Sequence, residues 1–206
     1  MELTSELEEF YRVIRMEADT LQALPDTLDA QALGRIIHAL AGCRGKIILS
    51  GCGTSAMAAR KIAHSLCCVE RPALFLTPSD AVHGALGVLQ KDDILILISK
   101  GGNTAELTCM IPACKIKGGL LIGVSENAES AIAHQSDIFL NIKVSAEPCR
   151  FNMLATASTL AVISVFDAIC ITLMKLTGYT KEQFAVIHPA GAVGERLLAQ
   201  HGNNER

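Results

Sequence analysis

Towards the amino terminus, apolar residues recur at helical spacing. Leu3, Leu7, Phe10, Ile14, Ala18 and Leu21 fall on one face of a 3.6-residue period. This predicts a helix over 3–24, ended by Pro25, and a second helix over about 28–41, closed near Gly42 and Gly45. The rhythm then changes to short apolar runs: Lys46–Ser50, Ala73–Leu76, Asp93–Ser99, Gly119–Ser125 and Ile138–Lys143. Helical stretches at 55–67, 104–117 and 128–135 separate them, with a loop or short helix through His83. Alternating strands and helices predict an α/β fold: a five-stranded parallel doubly wound sheet flanked by helices, preceded by an N-terminal helical hairpin. The expected organisation is a hairpin over 1–45, a sheet domain over 46–200 and a flexible tail over 201–206. Residues 153–177 form a long apolar helix with Gly178 as its C-cap. It is long enough to span a bilayer. Asp167 and several Ser and Thr residues favour a buried core or subunit-interface helix instead.

Composition narrows the function classes. The 206 residues are 50% hydrophobic and 19% charged, which excludes a disordered chain. Aromatics are only 4% with no Trp, and the net charge is −3 with no basic run, so no nucleic-acid partner is expected. The eight cysteines include no CxxC pair, and no three-ligand cluster has metal spacing, so neither metal nor cofactor is expected. The acidic amino terminus lacks the form of a signal peptide, and with reduced thiols this predicts a cytoplasmic protein with no membrane partner.

Ligands of doubly wound sheets bind at the carboxyl ends of the strands. Two loops stand there with matching chemistry. Gly51-Cys-Gly-Thr-Ser55 follows the first strand and opens a helix. Gly51 and Gly53 allow close approach of an anion, the helix start offers free N–H groups, and Thr54 and Ser55 add hydroxyls. Ser99-Lys-Gly-Gly-Asn-Thr-Ala-Glu106 follows the third strand with the same logic: Ser99, Gly101, Gly102, Thr104, then a helix. Together they could hold one phosphate, with Lys100 as a point charge or as a solvated loop lysine. Neither GxxxxGK[ST] nor a full GxGxxG is present, which argues against nucleoside triphosphates and dinucleotides.

These loops resemble those of the SIS (sugar isomerase) domain, which binds phosphosugars. The resemblance runs from the N-terminal helices to about residue 197. Ala81-Val-His-Gly-Ala-Leu-Gly87, Glu147-Pro-Cys149 and His188-Pro-Ala-Gly-Ala-Val-Gly194 further resemble the KpsF/GutQ-type arabinose-5-phosphate isomerases. The resemblance implies a flavodoxin-like strand order and a homodimer or homotetramer with shared sites. It implies an enzyme that interconverts an aldose phosphate and a ketose phosphate through an enediol, most simply arabinose 5-phosphate and ribulose 5-phosphate. Thr54, Ser55, Ser99 and Thr104 would hold the phosphate, and His83, Glu106, Glu147 and His188 would line the sugar end. Glu147 or Glu106 could be the base, and His188 could open the ring. Relatives carry a pair of CBS domains after the sugar domain; with the sequence ending at Arg206, the expectation is a sugar domain without them.

The chain departs from that pattern in both loops. Isomerases of this type have Lys where Thr54 stands, and their second loop reads Ser-Asn-Ser-Gly-Glu where this one reads Ser99-Lys-Gly-Gly-Asn103. Lys100 could restore the lost charge. A phosphosugar sensor without catalysis, or an isomerase of another sugar phosphate, is the alternative. His188 could also be a helix C-terminal cap, Glu147 a surface-loop glutamate and Glu106 a carboxylate favoured by its helix. Cys52 and Cys149 read as small fillers, with a reactive thiol near a helix start as the other reading of Cys52.

Overall fold

The computed structural model of the protein describes residues 4–189. The Ala190–Gly194 end of the last resemblance motif and the tail over 201–206 lie outside them.

Five parallel strands form one sheet: β1 (Ile47–Gly51), β2 (Ala73–Phe75), β3 (Ile94–Ile98), β4 (Leu120–Ser125) and β5 (Ile138–Asn141). Their order is β2-β1-β3-β4-β5, the flavodoxin-like order. Side chains alternate across a strand, so β1 to β4 each feed two cores. Ile47, Leu49, Ile94, Ile96, Ile122 and Leu140 pack into one cluster with helices α1 (Ser5–Thr27), α2 (Ala30–Gly42), α3 (Gly53–Cys67) and α8 (Ala157–Thr177). Ile48, Leu95, Leu97 and Leu121 face the other cluster, under α4 (Pro78–Ala81), α5 (Ala105–Thr108), α6 (Ile111–Lys117) and α7 (Ala131–Gln135). The chain continues into α9 (Lys181–Ile187). Every residue of β1 and β3 is buried, as a central parallel strand requires.

α8 is apolar and long enough to cross a membrane by length and composition. It packs against α1, α2 and α3, and its row Ala161, Val165, Phe166, Ile169 and Leu173 is buried in the main core. Gly178 closes it in the left-handed conformation at φ 66.

Several predicted boundaries move. α1 runs through Pro25 to Thr27. Proline removes a single bond this close to a helix end, and Leu21, Leu24 and Leu28 hold the last turn against the core. The helix predicted over 104–117 is two helices, because Pro112 has no N–H to donate to the Thr108 carbonyl. α8 begins at Ala157 rather than at 153, since Cys149 Sγ accepts the N–H groups of Met153 and Leu154. α7 begins at Ala131, capped by Ser130, rather than at 128.

Candidate functional site

The strand order reverses direction between β1 and β3, which opens a crevice at their carboxyl ends. A pocket lies there, at the place where doubly wound sheets hold their ligands. Its walls include Thr54, Ser55, Ser99, Lys100, Ser125, Glu126, Ser158 and Thr159.

The two loops are shaped by close backbone approaches. A Cβ on Gly51 would stand 2.8 Å from the Ser55 carbonyl carbon, so only glycine lets α3 start this near to β1. Gly53 opens α3 at φ 56, and Cys52, its N-cap, supplies no side-chain cap. The first N–H groups of this helix are therefore left for other acceptors. In the second loop Gly102 has φ 70, and a Cβ there would lie 2.1 Å from Ser130 Oγ. Ser99 Oγ takes the N–H of Gly102 at 3.1 Å and meets Thr104 Oγ1 at 2.9 Å. Asn103 Oδ1 accepts from Ala131 N at 2.8 Å, which ties the loop to α7. The hydroxyl pair is thus held by the loop itself.

Of the predicted phosphate residues, Thr54, Ser55, Ser99 and Lys100 line the pocket. Gly53, Gly101, Gly102 and Thr104 belong to the same two loops but do not line it.

Lys100 reaches across the crevice. Its Nζ pairs with Glu147 Oε1 and stands 3.8 Å from Glu126 Oε1. Glu147 is not the surface-loop glutamate of the alternative reading, for its side chain is fully buried. It also caps the start of α8. Oε2 accepts Thr156 N at 2.9 Å and Ser158 N at 3.5 Å, and Oε1 accepts from Ser158 Oγ. A carboxylate at a helix N-terminus is favoured by the macrodipole and by charge-assisted bonds. Burial pushes the Glu147 carboxyl up, but Lys100, Ser158 and Thr156 together hold it below the usual carboxylate range. Burial pushes Glu126 above that range, with Lys100 opposing and Glu147 adding to the rise.

The other predicted residues sit elsewhere in this protomer. Glu106, in the first turn of α5, is exposed; it is near enough to Cys52 to contribute, after burial, to raising that thiol. A raised Cys52 is mostly protonated, which suits a filler rather than a nucleophile. His83 follows α4 and is exposed, next to Gly84 at φ 110. His188 ends α9 as its C-cap, with Nδ1 2.9 Å from the Phe184 carbonyl and its ring stacked 3.9 Å from Phe184. Phe184 lines a different hollow, beside Cys68 and Cys170. None of Glu106, His83, Glu147 and His188 lines the crevice pocket, though Glu147 lies behind it, bonded to the lining residues Lys100 and Ser158. Asp167 is ion-paired with Lys61 on the exposed side of α8. Among the described residues, no three His, Cys, Asp or Glu side chains converge to hold a metal ion.

Sequence reasoning missed Glu126 and Ser158. Glu126 followed a strand like any loop residue, and Ser158 read as one of the polar dilutions of an apolar helix.

Comparison with known proteins bears on the same crevice. Residues 39–172 match the SIS domain family. The chain is 35% identical over 187 residues to a Pseudomonas aeruginosa protein named arabinose 5-phosphate isomerase KdsD, covering 91% of this chain and 57% of that one. It therefore spans little more than half the length of that curated relative. A solved structure from Listeria monocytogenes, named as a candidate sugar-phosphate isomerase, superposes with a TM-score of 0.90 at 57% identity. It covers 92% of this chain and 100% of the other. The Escherichia coli CFT073 protein c3406, solved in complex with arabinose 5-phosphate, superposes with a TM-score of 0.87 at 30% identity, over 92% of this chain and 100% of that one.

Proposed function

This chain belongs to the SIS domain family, and from that premise we propose that it is a phosphosugar isomerase, interconverting arabinose 5-phosphate and ribulose 5-phosphate. The observation that carries the reading is the pocket itself. Hydroxyls of Thr54, Ser55 and Ser99 and the ammonium of Lys100 converge at the strand ends, beside the half-buried Glu126 and the buried Glu147. Hydroxyls, free N–H groups at the start of α3 and one cation suit a phosphate monoester. Relatives named for this activity cover most of the chain, and a similar protein has been solved with arabinose 5-phosphate.

In this reading Thr54, Ser55, Ser99 and Lys100 bind the phosphate end or the charge that develops beside it, and Gly53, Gly102 and Thr104 shape the two loops, with Gly101 in the second of them. The sugar must open to its aldehyde, lose the C2 proton to a carboxylate and regain a proton at C1. The hydroxyl proton of O2 ends on O1. No oxidant is consumed, because one carbon is oxidised as its neighbour is reduced.

Ring opening needs a group that handles the ring-oxygen proton. We assign it to His188 or His83 from a neighbouring copy in a homodimer or homotetramer, since in one protomer neither lines the pocket. Exposed apolar residues support such a contact: Phe10 and Ile14 on α1, and Phe151, Met153 and Leu154 before α8. All eight cysteines are free, which fits a cytoplasmic enzyme.

The test is the conversion of a panel of sugar phosphates, followed by NMR. Arabinose 5-phosphate should give ribulose 5-phosphate faster than hexose phosphates are converted. Preference for a hexose phosphate would keep the isomerase and change its substrate; binding of the whole panel with no conversion would overturn the enzyme reading.

A further inference from the structure

Two carboxylates flank Lys100, and their surroundings differ. A carboxylate offers about four lone-pair sites. All four of Glu147's are taken, by Lys100 Nζ, Ser158 Oγ, Thr156 N and Ser158 N. To accept a proton from carbon it would have to give up a helix cap, a hydroxyl or an ammonium. A buried carboxylate that is fully bonded in its charged form is a weak base.

Glu126 is placed differently. It leaves the carboxyl end of β4, and its N–H donates to the Lys100 carbonyl at 3.1 Å. Ser125 Oγ donates to the same carbonyl at 2.9 Å, so the two strand ends are fixed to each other. The Glu126 side chain lines the pocket with Thr54, Ser55 and Ser99. Its Oε1 is buried and, among the described residues, accepts no hydrogen bond. The nearest charge to that oxygen is Lys100 Nζ at 3.8 Å, so its lone pairs are not committed to hydrogen bonds as those of Glu147 are.

We propose that Glu126 carries the substrate proton in this chain, and that Glu147 is a positioning residue that fixes Lys100 between the two carboxylates. The inference rests on the isomerase reading above. The Glu126 carboxylate takes the proton from C2 as the C1–C2 double bond forms and an electron pair moves onto O1. Lys100 balances that charge. The Glu126 carboxylic acid exchanges its proton with solvent and delivers one to C1, and the O2 hydroxyl proton passes to O1. One C–H bond breaks and one forms. The charged groups facing Glu126 are Lys100 from the end of β3, Glu147 from the loop before α8 and Lys143 after β5. Burial outweighs the two lysines and leaves the Glu126 carboxyl raised, towards the pH at which a general base works best.

The experiment compares wild type, Glu126→Gln, Glu147→Gln and Glu106→Gln for exchange of the C2 hydrogen of arabinose 5-phosphate, with kcat and KM across pH. Glu126→Gln should lower kcat by about 10²–10⁴-fold with KM nearly unchanged, and abolish the acid limb of the profile. Glu147→Gln should keep measurable exchange and keep that limb. Thermal unfolding guards against misfolding: Glu126→Gln should melt no lower than wild type at pH 7, because a disfavoured buried charge is gone. Exchange in Glu126→Gln within threefold of wild type, or a rise in KM alone, overturns the assignment, as does loss of exchange in Glu106→Gln alone. A wild-type protein that binds the sugar with neither exchange nor ketose formation overturns the isomerase reading and this inference with it.

Discussion

Lys100, at the end of β3, is ion-paired with Glu147, whose carboxylate caps the start of α8. One side chain thus joins the phosphate-type loop to the amino end of the long core helix. Lys100→Met would leave a buried carboxylate with its backbone and Ser158 donors but no cation. Stability should fall by about 1–3 kcal/mol in urea titrations. Affinity for arabinose 5-phosphate, measured by calorimetry, should fall roughly tenfold or more, the value of one charge-assisted bond. An unchanged affinity would remove Lys100 from the ligand site.

The second loop depends on Gly102 at φ 70, packed against Ser130 Oγ. Gly102→Ala combines left-handed strain with a steric clash, and should destabilise the fold by about 2–4 kcal/mol. The hydroxyls of Ser99 and Thr104 would shift with the loop, so phosphosugar affinity should fall as well. Gly101 is unhindered, with nothing near a Cβ at that position, and Gly101→Ala should leave stability within about 0.5 kcal/mol of wild type.

Acid stability follows from two buried carboxylates. Burial raises Asp93, but Lys46 and the N–H of Gln90 outweigh it and leave its carboxyl lowered. Glu147 is also lowered, against the push of burial, by Lys100, Ser158 and Thr156. A folded-state value below the unfolded one adds stability that is present above the ordinary carboxylate range, near about 4, and is lost as pH falls through the folded value. Glu126 has the opposite sign: its ionised form is disfavoured by folding, and that cost fades as pH falls. Urea midpoints should therefore hold steady between about pH 7 and 5 and drop steeply below about 4. Asp93→Asn and Glu147→Gln should lower the midpoint at pH 7 and flatten the acid limb. A limb unchanged in both variants would assign acid unfolding to other groups.

The thiols should separate in reactivity. Cys149 Sγ accepts N–H bonds from Met153 at 3.2 Å and Leu154 at 3.1 Å, and these bonds lower the thiol. Burial pushes Cys114 and Cys170 up to about 11. Iodoacetamide labelling read by mass spectrometry should modify Cys149 well before Cys114 and Cys170 at about pH 7.5. Equal rates would mean that the Cys149 loop opens in solution.

How far the sequence reached depends on whether each feature was local. The five strands stand where the apolar runs put them; β1 and β3, buried at every position, read as unbroken runs because a central parallel strand is covered on both faces. The hydroxyl loops were legible for the same reason: glycine and hydroxyl residues directly after a strand, directly before a helix. Pro112 splitting one helix was legible in principle, since a missing N–H has a fixed partner. The Glu147 cap was not. It bonds Thr156 and Ser158 from 9 and 11 residues upstream, whereas a capping box has a fixed short offset. Glu126 was hidden more deeply, because its role comes from Lys100 on the neighbouring strand end, and only the sheet order brings the two together.

The most direct measurement is solvent exchange by the wild-type protein. Arabinose 5-phosphate is incubated with it in heavy water and followed by NMR. The account predicts deuterium at C2 of the recovered aldose and at C1 of ribulose 5-phosphate as it forms. Saturable binding of the sugar phosphate, with its C2 hydrogen retained and no ketose formed, would contradict it.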